Sequence, residues 1–220
     1  IVLRQGETRE LNFEVEEDII QLETVVISAN KNETNRMEAP VVVHVMTPKL
    51  FENTNSVCLA QGLSFQPGLR VETNCQNCGF QQVRINGLDG PYTQLLLDGK
   101  ALFSSLNGVY GIEQIPAGMI ERVEVMRGGG SALYGANAIG GTVNIITKEP
   151  LNNLFMISHN LIAIGNSAYD NTTSLNASLI NGQRNAGLYI FGTSRHRQHY
   201  DHDGDHFSEI GELELTTLGF

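Results

Sequence analysis

The sequence holds no run of about eighteen apolar residues, the length that a membrane-spanning helix needs. No signal-peptide pattern opens it. It begins at Ile1-Val2-Leu3 without a methionine and stops at Phe220 inside an alternating run, so it is expected to be a piece of a longer protein. Basic residues are few: 14 Lys and Arg stand against 24 Asp and Glu, a net charge of -10. A general nucleic-acid binder needs a basic stripe, and none is present. Cysteine is scarce too, with Cys58, Cys75 and Cys78 alone. A CxxC such as Cys75–Cys78 serves as a redox pair, half of a zinc site or a local disulfide. No second CxxC follows and no histidine lies near it in sequence, so the spacing leaves these uses open. A glycine cluster, VEVMRGGGSALYGANAIGGTVNIITK from Val123 to Lys148, lacks the spacing of a phosphate cradle. From Gly128 the sixth position of a dinucleotide fingerprint is Leu133, from Gly130 the third is Ala132, and no Walker Gly-Lys-Ser/Thr occurs. Small residues at Gly135, Ala136, Ala138, Gly140 and Gly141 instead suit close approach of backbones.

What is present is the composition of a folded chain, with 41% apolar and 17% charged residues. Residues 1–17 alternate, Leu11, Phe13 and Val15 against Asn12, Glu14 and Glu16, and predict one half-buried strand ending a preceding domain. Residues 18–40 form a polar linker around a single β-prone run, Thr24-Val25-Val26-Ile27-Ser28-Ala29. Between 41 and 150 the elements are short and mixed, as in a small α+β domain. Strands are predicted at Val41–Met46, Phe80–Asn86, Thr93–Leu97, Ile120–Met126 and Thr142–Thr147, with a tight turn at Asp98-Gly99. A helical turn opens at Thr47-Pro48, because proline suits the first helical position, and a helix is predicted over Ser56–Leu63.

From 151 to 220 the character changes. Leu154–Ile164, Thr172–Ile180, Ala186–Ser194 and Ile210–Phe220 are strand-like runs joined by polar turns. Each is about 9–11 residues, enough to cross a bilayer at a tilt. A soluble antiparallel sheet alternates in the same way, and periodicity alone does not separate the two.

Pro116 to Lys148, PAGMIERVEVMRGGGSALYGANAIGGTVNIITK, closely resembles the end of the plug domain of TonB-dependent outer-membrane receptors. LSFQPGLRVE, VRINGLDG and LLLDGKALF resemble earlier parts of that domain, so the likeness spans about residues 23 to 150. Residues 1–17 resemble the end of a small carboxypeptidase-regulatory-like β-sandwich that some such receptors carry. The resemblance implies an α+β plug domain, a small mixed sheet with short helices, followed by antiparallel β-strands of a transmembrane β-barrel in the bacterial outer membrane. It implies import of a scarce nutrient (iron chelate, haem or cobalamin) driven through TonB, and no enzyme activity. The competing reading is a soluble β-rich cell-surface adhesion or interaction module.

Residue by residue, Glu23, Thr24, Val25, Val26, Ile27, Ser28 and Ala29 resemble the TonB box, whose β-prone run adds a strand to a partner's sheet edge. Loops at one end of the plug face substrate in such receptors, which nominates Gln76, Asn77, Phe103 and Tyr110. In that oxidising compartment Cys75 and Cys78 are expected to form a local disulfide, and Cys58, within the predicted helix, to be a buried small hydrophobe. The segment DHDGDHFSEIGE places Asp201, Asp203, Asp205, Glu209 and Glu212 at offsets 1, 3, 5, 9 and 12, the side-chain ligand positions of an EF-hand calcium loop. It departs from that loop at His206, where glycine is expected at position 6, and Glu212 also lies on the alternating fourth run. A structural calcium held by Asp201, Asp203, Asp205 and Glu209 is the expectation, and no cofactor is required. His196, His199, His202 and His206 crowd the same loop and raise a weaker alternative, capture of haem or metal. Outer-membrane lipid and a surface lipoprotein complete the partners that the resemblance allows; nucleic acid is not among them. The short plug and the acidic hairpin incline the substrate towards cobalamin by analogy with the family.

Overall fold

The computed structural model describes residues 25–26, 34–35, 41–75, 80–102, 111–165 and 167–220. Near the start, β1 (Val25–Val26) pairs antiparallel with β2 (Thr34–Asn35), Val25 opposite Asn35 and Val26 opposite Thr34.

A five-stranded mixed sheet follows, built from β3 (Val43–Met46), β6 (Thr93–Leu97), β7 (Lys100–Ala101), β8 (Ile120–Arg127) and β9 (Gly141–Thr147) in the order β3-β8-β9-β6-β7. Only the β6–β9 pair is parallel among these contacts. Asp98 and Gly99 turn β6 into β7 with φ of 48° and 75°, the left-handed pair that a tight two-residue turn requires. The strand β9 is buried along nearly its whole length, the polar Thr142 and Asn144 together with Val143, Ile145 and Ile146. Against the sheet pack α1 (Pro48–Asn53), through Phe51, and α2 (Leu59–Leu63), through Leu59 and Leu63. A separate hairpin pairs β4 (Leu69–Cys75) with β5 (Phe80–Ile85) and adds Leu69, Val83 and Ile85 to the same core. Two short helical turns follow, α3 over 111–114 and α4 at Ser131–Tyr134.

The sequence-predicted helix at Ser56–Leu63 is shorter than expected. Only Leu59–Leu63 is helical, and Cys58 precedes it in extended conformation rather than lying within it. Cys58 forms a β-bridge with Pro116, the Leu59 amide donates to the Ile115 carbonyl at 2.9 Å, and the Ala117 amide donates to the Val57 carbonyl at 3.0 Å. Pairing across the chain thus takes the backbone groups that a longer helix would have used. The strand β4 was not among those expected, although Leu69, Val71 and Thr73 alternate.

The remaining strands, β10 (Leu154–Ile164), β11 (Ala168–Ile180), β12 (Gly187–Arg197) and β13 (Leu213–Gly219), form one antiparallel sheet in chain order. Along β11 the two faces are inverted relative to a soluble sheet. On β11 the residues turned towards the mixed-sheet domain are polar, and Asp170, Thr172, Asn176 and Ser178 are buried there. The opposite face shows Phe155, Ile157 and Leu161 of β10, Leu179 of β11, Leu188 of β12 and Leu218 of β13, all exposed. Polar inside and apolar outside is the pattern of a barrel wall in lipid. No helix among the described residues is long and apolar enough to cross a membrane.

Candidate functional site

The mixed-sheet domain meets the antiparallel sheet through polar groups and through Tyr189 and Phe191 of β12, which pack against its hydrophobic core. Tyr189 of β12 donates its hydroxyl to the Gly118 carbonyl at 2.7 Å and lies 3.1 Å from Asn176 Oδ1 of β11. Asn160 of β10 donates to the Asn55 carbonyl at 3.3 Å, and Thr217 of β13 to the Gln114 carbonyl at 3.4 Å. A small cavity remains at this boundary, lined by Cys58, Glu113 and Gln114 on one side and Thr172, Thr193 and Arg195 on the other. Arg195 donates from Nε to Asp170 Oδ1 at 3.0 Å and from Nη2 to Oδ2 at 2.7 Å, and both side chains are buried. Its Nη1 approaches Cys58 Sγ at 3.9 Å. Cys58 is buried, as expected, and is a free thiol whose pKa burial pushes up, so it stays protonated at neutral pH.

The glycine cluster is a joint of close-packed backbone. A Cβ at Gly141, which has φ of 141°, would strike the Met126 carbonyl oxygen, and one at Gly140 would lie 2.9 Å from the Tyr92 carbonyl oxygen. Gly140 N donates to that carbonyl at 2.8 Å, and Gly128 N donates back to the Gly140 carbonyl at 2.9 Å. These glycines hold the end of β8 against the start of β9.

The long connection from β12 to β13 gathers the acidic residues. Ligand atoms of Asp201, Asp203, Asp205 and Glu209 all lie within 4.8 Å of one another. Backbone amides organise them: Asp201 accepts from Gly204 at 2.7 Å and His206 at 2.9 Å, Asp205 from Phe207 at 2.8 Å, and Glu209 from His202 at 2.6 Å. His206, where a calcium loop has glycine, takes up φ of 71°, so it adopts the left-handed turn despite its side chain. Hard oxygen donors without a thiol or imidazole among them suit calcium or magnesium rather than a softer ion. Glu212 is outside the group, its carboxylate 3.9 Å from His196 Nε2. The histidines do not join the cluster either: His202 Nδ1 lies 3.3 Å from the Tyr200 hydroxyl.

Of the other sequence-nominated residues, Gln76, Asn77, Cys78, Phe103 and Tyr110 lie outside the described residues, as do Glu23, Thr24, Ile27, Ser28 and Ala29. Cys75 is described for its backbone, opposite Phe80 at the end of β4. Sequence reasoning missed Asp170, Arg195, Glu113 and Arg197; a paired Asp and Arg on neighbouring strands at inward positions was the available signal for the first two.

A polar-faced antiparallel sheet wrapped against a small mixed-sheet domain defines a class, the plugged outer-membrane barrel. Residues 35–142 match the TonB-dependent Receptor Plug Domain family. Over 127 residues the chain is 35% identical to the "Vitamin B12 transporter BtuB" of Vibrio vulnificus, covering 58% of this chain and 21% of that protein. It is 31% identical over 126 residues to the protein of the same name from Vibrio cholerae, at 57% and 21% coverage. The chain therefore spans about a fifth of the length of these relatives. Among solved structures, the ferric enterobactin receptor PfeA of Pseudomonas aeruginosa superposes with a TM-score of 0.60 at 26% identity, over 81% of this chain and 27% of that one. FpvA of P. aeruginosa, bound there to an iron pyoverdine, shares the fold with a TM-score of 0.62 at 18% identity, over 83% and 24%. This chain belongs to the TonB-dependent receptors, a family of the bacterial outer membrane.

Proposed function

We propose that the chain is the plug and the opening barrel strands of a transporter that imports a scarce nutrient, cobalamin before ferric siderophores or haem, and that it is not an enzyme. The observation that carries this reading is the polar inner face of β11 and β12 seated against the plug, with the apolar face of the same sheet turned outward. A wall built this way separates lipid from a polar lumen, and the plug closes that lumen. The sequence likeness to vitamin B12 transporters favours cobalamin over the iron chelates. Energy arrives through TonB, which pairs with the β-prone run Glu23–Ala29 by strand addition. The loops holding Gln76, Asn77, Phe103 and Tyr110 meet substrate, a disulfide between Cys75 and Cys78 braces the first of them, and the Asp201–Glu209 carboxylates hold a calcium ion.

The full receptor, expressed in cells deprived of their own cobalamin receptor, is expected to restore cobalamin uptake only when TonB is present. Uptake of haem or a ferric siderophore instead would reassign the substrate. A receptor that binds cells or matrix and moves no nutrient would point to an adhesin. Calorimetry with calcium tests the hairpin: heat of binding should be lost in Asp203→Asn/Asp205→Asn, and no heat with the native receptor would remove the ion.

A further inference from the structure

We infer that Glu113 is a positioning residue that ties β5 and α3 of the plug to the barrel wall, so that these two elements and the seating of the plug move together. Glu113 lies on α3, over 111–114, and Gln81 lies at the start of β5. Gln81 Nε2 donates to Glu113 Oε1 at 2.9 Å, and the same oxygen lies 3.9 Å from Arg197 Nη1 on β12. Arg197 in turn donates from Nε to the Gly211 carbonyl at 3.1 Å, at the far end of the acidic hairpin. One carboxylate thus stands where β5, α3 and one barrel hairpin come together.

The charges on the wall explain why the plug supplies an acid here. Asp170 and Arg195 satisfy one another within the wall, both buried. Arg197 sits directly opposite Asp170 in the strand register, but Asp170 is committed to Arg195 by its shorter bonds. Glu113 is the carboxylate that lies near Arg197, and their side chains are 15% and 20% exposed. A partly hydrated pair at 3.9 Å is weak, so it can hold the plug at rest and still yield when the plug is pulled. Gln81 Oε1 is buried and, among the described residues, has no partner, which leaves it free to accept a donor if a loop shifts.

The functional consequence rests on the reading that the loops next to Gln81 and Glu113 face substrate; the tie itself does not. Hydrogen exchange on the full receptor in detergent, without substrate, tests the tie. Glu113→Gln keeps an acceptor for Gln81 and removes the charge, so it should speed amide exchange over 111–114 about threefold to fivefold, the scale of a partly exposed ion pair. Arg197→Gln should do the same, Arg197→Lys should not, and the double variant Glu113→Gln/Arg197→Gln should be no faster than either single one. Additive effects, or an Arg197→Gln receptor that exchanges like the native one, would overturn the tie. Cobalamin affinity is then measured on the same proteins. Coupled exchange with no cobalamin binding in any of them would leave the tie standing and sink the substrate reading alone.

Discussion

Arg195 carries a full charge on the inner wall yet shares it with the wall itself, because Asp170 on the neighbouring strand takes two of its nitrogens. The plug contributes the Cys58 sulfur at 3.9 Å, a weak partner for a guanidinium, and the more distant charge of Glu113 across the small cavity. A buried pair that is complete on one side of a sliding boundary does not resist the slide, whereas a pair split across it would. Removing one member is a different matter, since it leaves a charge uncompensated away from water. Asp170→Asn is expected to destabilise the folded receptor by about 3–5 kcal/mol, and a further Arg195→Met should recover most of the loss. Thermal unfolding of the receptor in detergent reads both. If Asp170→Asn melts with the native protein, the pair is hydrated and contributes little.

Among the elements, β1 is the one whose pairing bears on the proposed coupling to TonB. It lies within the proposed TonB box and is paired with β2 in the chain's own linker. If a partner strand from TonB takes the edge of β1 that β2 holds, the two pairings exclude each other. Thr34→Pro with Asn35→Pro should remove the internal ladder and raise binding of the periplasmic domain of TonB to the substrate-free receptor. Val26→Pro should abolish that binding, because it removes a donor from the box itself. Equal binding by the native receptor and the Thr34→Pro/Asn35→Pro variant would show that β2 does not compete.

The same scale shows what the sequence revealed and what it hid. The strands β6, β8, β9 and β10 stand close to where alternation and apolar runs placed them, because burial on one face or both leaves a pattern that one chain segment carries alone. The helix expected at Ser56–Leu63 lost its first turn to Ile115–Ala117, a partner more than fifty residues away that no local pattern announces. The carboxylates of the acidic hairpin were legible because a loop of consecutive offsets gathers its own ligands. Glu113 and Arg197 were not, since their meeting depends on how the plug is seated in the wall.

For the molecule as a whole, the inverted sheet carries the membrane assignment and also makes it testable. Leu175 and Ser174 are neighbours on β11, each flanked by β10 on one side and β12 on the other, yet alternation turns them to opposite faces. Ser174 shares the inner face with Thr193, its hydroxyl 3.1 Å from the Thr193 hydroxyl. Leu175 lies on the outer face with Ile157 and Gly192 beside it in register. In a lipid-embedded wall a lysine at Leu175 should cost about 2–4 kcal/mol if it falls near the bilayer midplane, whereas one at Ser174 enters a polar lumen. In a soluble sandwich a second sheet would cover the apolar face, so a lysine at Leu175 would cost stability there too and the surrounding medium is what separates the two cases. Reversible unfolding of the full receptor in lipid vesicles therefore compares Leu175→Lys with Ser174→Thr, a substitution that keeps the inner hydroxyl and the fold. The leucine variant should lose stability in vesicles and recover much of it in detergent of shorter chain length, where water reaches the lysine. Equal loss in both media would mean that protein rather than lipid covers Leu175, and the outward face would then belong to an interface instead of a membrane.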